Sequence, residues 1–594
     1  MNPIAHRVDH IQSRHCVHQE RIAIQSRRLR TPDIIQRCSL DNNAGKSTVI
    51  DAIRVFYEKD GFKFKMDRDF PFVPGKDEDS WVELTFALTD DENASLKDDY
   101  RQPDKTLCVR KFLKSADKNQ AGSIFAYHAD GTISDEPFYG AKNVQSGKFG
   151  DIVYIPAVSK VDDHTKLSGP SALRDLLTNV LESVVESSPS HTQFATDFET
   201  FAKEVKTETT AEGHSLSGVE SDLNGLIGAW GANFRLDMRS PSTADIIKSL
   251  LSYECTDQTH GKPLPVEQFG SGFQRHFIFS LIQLGAKYIS KKASKKAKDF
   301  TPDMKLLLFE EPEAFLHPPQ QEILSQSLRT LAAQPTQQIL CSTHSSHFVS
   351  KHASDIPSLT RLKRDGGCVS VFQLDKSSWD TMIDANQLIT DIAMKWPKLS
   401  KKLEEDDTKP EMEAIKYFLW LNPDRCGLFF ANHVLIVEGP TEQAFINKLI
   451  GDGRIPIPRD GIYILESIGK FNMHRFMNLL SRLGIPHSVM FDDDKEKEYH
   501  EDINQLIHDS KHDGLTTSIV SIDGDIETLL KIPKQAQKHR KPQHLLLCYA
   551  SGKIDESCLD KFIAIVATCL PETKREAPVA CSDTTKKADV RRGK

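Results

Sequence analysis

Two groups of residues in this 594-residue chain have the types and spacing to do chemistry. The first begins at Asn42-Asn43-Ala44-Gly45-Lys46-Ser47-Thr48. A loop of this kind running into a helix offers backbone amides and a lysine to a nucleotide phosphate, and Ser47 or Thr48 can supply a hydroxyl to its Mg²⁺. Further on, Gly270-Ser271-Gly272-Phe273-Gln274-Arg275 opens an apolar helix. Glycine amides and a serine at a helix N-terminus form an anion site, so Ser271, Gly272 and Gln274 join the phosphate-binding set. The run Leu306 to Phe309 then delivers Glu310 and Glu311 at the end of a strand. Glu310 is placed to hold Mg²⁺ and Glu311 to polarise an attacking water. A second strand, Ile339 to Thr343, ends at His344, which could sense a terminal phosphate.

The second group is purely acidic. His433 to Val437 reads as a buried strand that delivers Glu438, with Glu442 about one helical turn beyond. Some way downstream, Ser488 to Phe491 leads into Asp492-Asp493-Asp494. Carboxylates converging from two strand ends, without His or Cys, are hard-oxygen ligands suited to Mg²⁺ or Mn²⁺. Two such ions can activate water and stabilise a leaving oxygen at a phosphodiester.

The elements that must position these groups follow from patterning. Residues 40–160 alternate strand-like runs, such as Trp81 to Leu88 and Ile152 to Ile155, with polar turns. From about 168 to 230 the pattern becomes helical, through Leu173, Leu176, Leu177, Val180, Leu181 and Val184 and then Phe194, Phe198, Phe201 and Val205. The expected domains are therefore 1–374 with a helical insertion at about 168–230, a polar connector at 375–429, an α/β unit at 430–545, and an extension at 546–594 ending in a disordered tail beyond Pro571. The composition, 39% hydrophobic and 27% charged, is that of a globular chain of several domains. The longest apolar stretches fall short of the roughly 18 residues of a membrane span, and no secretory h-region precedes residue 37. Eleven cysteines without zinc-like spacing predict reduced thiols and a cytoplasmic location. A net charge of −8 argues against a large DNA-coating surface, leaving local basic runs at Lys291–Lys298 and Lys534–Lys541 as candidates.

In order and spacing, the first group resembles ABC-type ATPases of the SMC-like branch, and the second resembles the TOPRIM fold of topoisomerases, primases and certain nucleases. The pair in this order resembles the OLD (overcoming lysogenization defect) nuclease family, which includes the Gabija nuclease subunit. The implied fold is α/β, an ABC-type ATPase with a helical insertion followed by TOPRIM. The implied activity is ATP-regulated, metal-dependent cleavage of double-stranded DNA in anti-phage defence, with ATP and Mg²⁺ or Mn²⁺ as cofactors.

By the same resemblance Glu438, Asp492, Asp494 and Lys541 carry catalysis at the second site, with Glu442 and Glu527 as further metal ligands. Ser271 of one subunit would complete the phosphate loop of another, implying a homo-oligomer held through the insertion. A helicase-like or reverse-transcriptase partner fits the family as well. Two rivals are a clamping ATPase with a non-catalytic TOPRIM unit, and a topoisomerase using Tyr463 or Tyr499 as nucleophile.

The chain departs from the motif at its start. Leu40 stands where a phosphate loop has its first glycine, and residues 31–39, with Pro32 and interspersed polar groups, make a poor central strand. The expectation is that the segment before Asp41 does not serve as ATPase structure, through divergence or a misread gene.

Overall fold

The computed structural model describes residues 24–26, 35–40 and 45–571, apart from 71–78, 140–149, 158–163, 168–170, 243–244, 259–260, 289–303, 335–336, 350–352, 366–367, 402–408, 459–460 and 495–497. Asn42, Asn43, the whole Lys291–Lys298 run and the tail from 572 lie outside the described residues.

Strands are numbered in chain order. A four-stranded sheet has the order β1 (Ile24–Ser26), β3 (Ser80–Ala87), β4 (Thr106–Lys114), β5 (Ile124–Ala126). A six-stranded sheet runs β12 (Cys368–Gln373), β11 (Leu359–Asp365), β2 (Ile35–Leu40), β10 (Gln337–Thr343), β9 (Lys305–Glu310), β6 (Asp151–Ile155). Only the β11–β12 pairing in it is antiparallel. A hairpin of β7 (Cys255–Asp257) and β8 (Lys262–Leu264) stands apart. The last sheet is wholly parallel, in the order β14 (Tyr463–Glu466), β13 (Val434–Val437), β15 (His487–Asp492), β16 (Thr516–Ile522).

Alternation along the strands explains why the motif-bearing segments read as continuous apolar runs. In β9 and β10, Leu308 and Leu340 point to one core, while Leu307, Phe309, Ile339 and Cys341 point to another. The first core packs the Lys46–Tyr57 helix, through Val49, Ile50, Ile53 and Phe56, with the six-stranded sheet and the β1–β3–β4–β5 sheet. The second packs the Ser271–Tyr288 and Pro318–Ala332 helices on the opposite face. Covered on both faces, such strands carry no polar side. The parallel sheet repeats this, with Val434, Ile436, Val489 and Phe491 on one face and Leu435, Val437 and Met490 on the other.

The structure corrects three expectations. Ile35–Leu40 is an interior strand of the six-stranded sheet, paired with β10 on one side and β11 on the other. Main-chain pairing to both neighbours accepts the polar residues that made the segment look unsuitable, and the strand begins after Pro32. Residues 375–429 are not a simple connector. Their helices Lys376–Asn386, Leu388–Lys395 and Pro410–Trp420 bury Met382, Ile383, Ile389 and Tyr417 in the same core as β13 and β15. The boundary at 545 falls inside the Lys541–Ala550 helix, and the Glu556–Thr568 helix adds Leu559, Phe562 and Val566 to the other core.

In the insertion, the Ala172–Ser187 helix packs on Ser271–Tyr288, and Pro189–Thr207 packs on Leu216–Ile227. Part of its apolar stripe faces outward: Phe201 is 52% exposed and Trp230 88%. Among the described residues no helix is long and apolar enough to cross a membrane.

The six-stranded sheet and the last sheet share a core, since Val349, Ile356, Leu359 and Leu374 cluster with Val434 and Val489. At the junction the fully buried Arg361 of β11 donates to the carbonyl oxygens of Leu483 (3.3 Å), Gly484 (3.1 Å) and Ala431 (3.3 Å). Gly484 has φ 63°, and a Cβ there would meet the Phe372 ring at 2.3 Å. Gly484→Ala is therefore expected to lower stability by on the order of 2 kcal/mol, from left-handed backbone strain and overpacking together. A urea midpoint equal to that of the wild type would contradict this.

Candidate functional site

Because the strands of the six-stranded sheet that carry motifs are parallel, their carboxyl ends meet at one edge. Thr343 of β10 stands beside Ser39 of β2, and Ser342 beside Glu310 of β9. Ligands of open α/β sheets bind at such an edge. Gly45, at φ 96°, adopts the left-handed turn that admits the chain into the Lys46–Tyr57 helix. Ser47 and Thr48 are exposed on its first turn.

The Lys46 ammonium hydrogen-bonds the His344 ring, and His344 Nε2 lies 3.6 Å from Glu311 Oε1. Burial, followed by the Lys46 charge, holds His344 below the usual imidazole range. The ring is thus neutral near pH 7 and can accept from the lysine. Glu310 Oε2 accepts from the Tyr154 hydroxyl at 2.8 Å. Glu311 sits at φ 41°, a strained backbone conformation for a residue other than glycine.

Arg275 braces this edge from the side: it donates to the carbonyl oxygens of Glu310 (2.8 Å), Glu311 (2.7 Å), Pro156 (3.3 Å) and Ala157. Gly272 faces the Phe315 carbonyl closely, and the Gln274 amide caps the Glu267 (2.9 Å) and Phe269 (2.7 Å) carbonyls. Ser271, Gly272 and Gln274 thus open a helix seated on the chain's own loop after β9.

In the last sheet, β13 and β15 are adjacent and parallel, with Val437 beside Met490, so Glu438 and Asp492 emerge at the same edge. Glu442 lies in the first turn of the Pro440–Gly451 helix and accepts from the Gly439 amide at 3.0 Å. Asp494 has φ 48° and sits 3.2 Å from His500 Nδ1. Asp493 turns the other way and accepts from the Gly524 amide at 3.0 Å, bracing the turn after β16. Glu527 is buried, with Lys541 Nζ 2.9 Å from its Oε1.

These groups feel one another. Burial first, then the charges of Glu442, Glu438 and Asp494, push Asp492 up to about 9. Burial likewise raises Glu438, and takes Glu442 up to about 7 against the pull of its helix-terminal amides.

The donor set fits a hard divalent ion. Glu438 Oε2, Asp492 Oδ1 and Glu527 Oε2 are buried oxygens without a hydrogen-bond partner, and the carboxylates repel one another. Among the described residues no three such side chains already surround a common point, so joint ligation by Glu438, Asp492 and Asp494 requires side-chain rotation.

A pH effect follows. In the metal-free protein Asp492 and Glu442 keep protons that the unfolded chain has lost above its ordinary carboxylate range. Their stabilising contribution is full below about pH 4 and is lost as pH rises towards about 9. Urea midpoints in chelator should fall between pH 5.5 and 8.5, and less steeply for Asp492→Asn. Equal slopes for the two proteins would contradict the assignment.

The sequence reading missed Lys470, which is buried at this edge and donates to the Asp492 carbonyl. Its signal was available: Gly469-Lys470 follows β14, the third parallel strand ending here. His500 beside Asp494 and Glu313, which accepts from Thr343 Oγ1 (2.9 Å) and the His344 amide (2.6 Å), were missed too. In the candidate basic run Lys534–Lys541, Lys534 is paired with Asp525 (2.7 Å), and Lys541, which the family resemblance makes catalytic, is paired with Glu527. Of the two rival nucleophiles, Tyr463 begins β14 at the far end of the sheet from the acids, with its hydroxyl on the Asp424 carbonyl, and Tyr499 packs against the ring of His500 beside Asp494.

Residues 110–349 match the AAA ATPase domain family, and residues 429–494 match the TOPRIM domain of overcoming lysogenization defect protein-like chains. The chain joins an AAA ATPase domain to an OLD-like TOPRIM domain. Glu310, Glu311 and His344 fall in the first match, and Glu438, Glu442, Asp492 and Asp494 in the second. The chain is homologous to the Old nuclease of Escherichia phage P2, 26% identical over 474 residues that cover 76% of this chain and 72% of that protein. Endonuclease GajA of Bacillus cereus (strain HuB5-5) is 24% identical over 277 residues, 44% of this chain and 36% of GajA. An SMC head bound to the C-winged helix domain of ScpA aligns over 59% of this chain and 93% of its own, at 12% identity and a TM-score of 0.33.

Proposed function

We propose that this chain is an ATP-regulated, Mg²⁺- or Mn²⁺-dependent endonuclease that hydrolyses phosphodiester bonds of double-stranded DNA at its TOPRIM edge, in defence against phage. The observation that carries the reading is the pair Glu438 and Asp492, delivered to one edge by adjacent parallel strands with carboxylate oxygens left without partners. That both named relatives are nucleases supports it.

Hydrolysis forms one P–O bond to water and breaks one to a sugar oxygen, which leaves with a proton. Glu438, Asp492 and Asp494 would hold the divalent ions, with Glu442 and Glu527 as outlying carboxylates. The ions would supply positive charge and acidify water at the phosphate. Lys541, paired with Glu527, would meet charge that develops on the phosphate during the reaction.

Nucleotide at Lys46 and Glu311 would regulate this chemistry. Supporting that, Arg361 stands beside Ser39 of the phosphate-loop strand and grips the backbone leading into β13 and β15. A second copy of the chain would cover the outward apolar stripe of the insertion and bring its Ser271 segment to this phosphate loop. Incubation of supercoiled plasmid with the purified chain tests the function. Cleavage should require Mg²⁺ or Mn²⁺, stop with chelator, and leave ends free of covalent protein. Metal-independent cleavage or protein-linked ends would refute it.

A further inference from the structure

Lys470 is a lysine built into an acid cluster, and its geometry is unlike that of an ordinary ion pair. It is 2% exposed. Gly469, at φ 99°, turns the chain so that the lysine re-enters the sheet edge after β14. The same turn is tied to β13: the Gly469 amide donates to the Glu438 carbonyl at 2.8 Å, and Ser467 Oγ donates to the Val437 (2.9 Å) and Glu438 (3.2 Å) carbonyls. At the other end of the tie, the Lys470 ammonium donates to the Asp492 carbonyl oxygen, 5.1 Å from the centre of the Phe491 ring. One four-residue turn therefore bridges the ends of the two strands that carry Glu438 and Asp492.

The bond goes to main chain, and that has a chemical consequence. The ammonium charge faces Glu438, Asp494, Asp492 and Asp493, in that order of strength. Yet Glu438 Oε2 and Asp492 Oδ1 keep no hydrogen-bond partner. The cation relieves the repulsion among the acids without occupying the oxygens that a metal would use.

We infer that Lys470 is a tethered counter-ion and positioning residue of the TOPRIM site: it fixes the separation of Glu438 and Asp492, and its charge opposes divalent metal entering their field. The inference rests on the proposed metal-dependent reading of this site. Two like charges a few ångströms apart in a partly buried site weaken each other's binding substantially. Removing the lysine charge should therefore tighten metal binding while the loss of the tie slows the reaction. A residue with a merely structural role would weaken both.

The test is Mn²⁺ titration of the nucleotide-free full chain, followed by electron paramagnetic resonance, alongside the plasmid cleavage rate at saturating Mn²⁺. Lys470→Met should bind Mn²⁺ about tenfold more tightly than wild type and cleave at least about tenfold more slowly. Lys470→Gln keeps a donor for the Asp492 carbonyl and lacks the charge, so it should also bind Mn²⁺ more tightly while retaining more of the rate. Lys470→Arg should restore wild-type affinity. Unchanged or weaker Mn²⁺ binding by a folded Lys470→Gln protein would overturn the inference, whatever Lys470→Met does. If wild type binds no Mn²⁺ that Asp492→Ala removes, the reading of the site itself has failed instead.

Discussion

Asp492→Ala is expected to reduce DNA cleavage by roughly a thousandfold or more, because several kcal/mol of transition-state stabilisation depend on metal ligands of this kind. Glu438→Ala and Asp494→Ala should behave alike. Asp492 ends strand β15 and Glu438 follows its neighbour β13, so each carboxylate is delivered to the edge by its own strand end and the remaining acids reach it from other elements. Asp493→Ala is the instructive control. Its carboxylate is committed to the Gly524 amide, so the variant should lose about 1 kcal/mol of stability and keep most of its activity. The readout is the initial rate of supercoiled plasmid loss in Mn²⁺, with folding checked by circular dichroism. An Asp493→Ala protein as inactive as Asp492→Ala, yet stably folded, would mean the metal-binding residues are misassigned.

Lys46→Ala should abolish ATP hydrolysis, by about a hundredfold or more, since it removes the cation at the phosphate loop and the partner of His344. Glu311→Gln should do the same while still binding nucleotide, because it keeps the shape and loses the water-polarising charge. Phosphate release measures turnover, and a fluorescent ATP analogue measures binding. Both variants should retain the capacity for metal-dependent cleavage in the absence of nucleotide, as the carboxylates of the TOPRIM edge belong to another sheet. Normal turnover by Lys46→Ala would remove this loop from the ATPase account.

How much of this was legible from sequence varied with how local the signal is. Strands β9, β10, β13 and β15 were readable because both faces are buried, which writes an unbroken apolar run into the chain. The acids at their ends inherited that clarity. Strand β2 was not readable: its partners are β10 and β11, about 300 residues away, and non-local main-chain pairing leaves little trace in a short polar segment. The helices of 376–420 looked like a linker because polar and charged residues interrupt their apolar ones, while Ile383, Ile389 and Tyr417 bury in the core they share with β13 and β15. Lys470 was overlooked for a similar reason: the Gly-Lys turn after β14 is a local signal, but what it faces is not. Its acids come from strand ends 32 positions before it and 22 after, and only the sheet order β14–β13–β15 puts them together.

The most direct test of the whole account measures plasmid cleavage and phosphate release in the same reactions, for wild type, Asp492→Ala and Lys46→Ala, in Mn²⁺ with and without ATP. The account predicts that Asp492→Ala turns over ATP at the wild-type rate and cleaves nothing. It predicts the reverse separation for Lys46→Ala, with no turnover and with cleavage that no longer responds to ATP. Full cleavage by Asp492→Ala would contradict the assignment of phosphodiester chemistry to the TOPRIM edge.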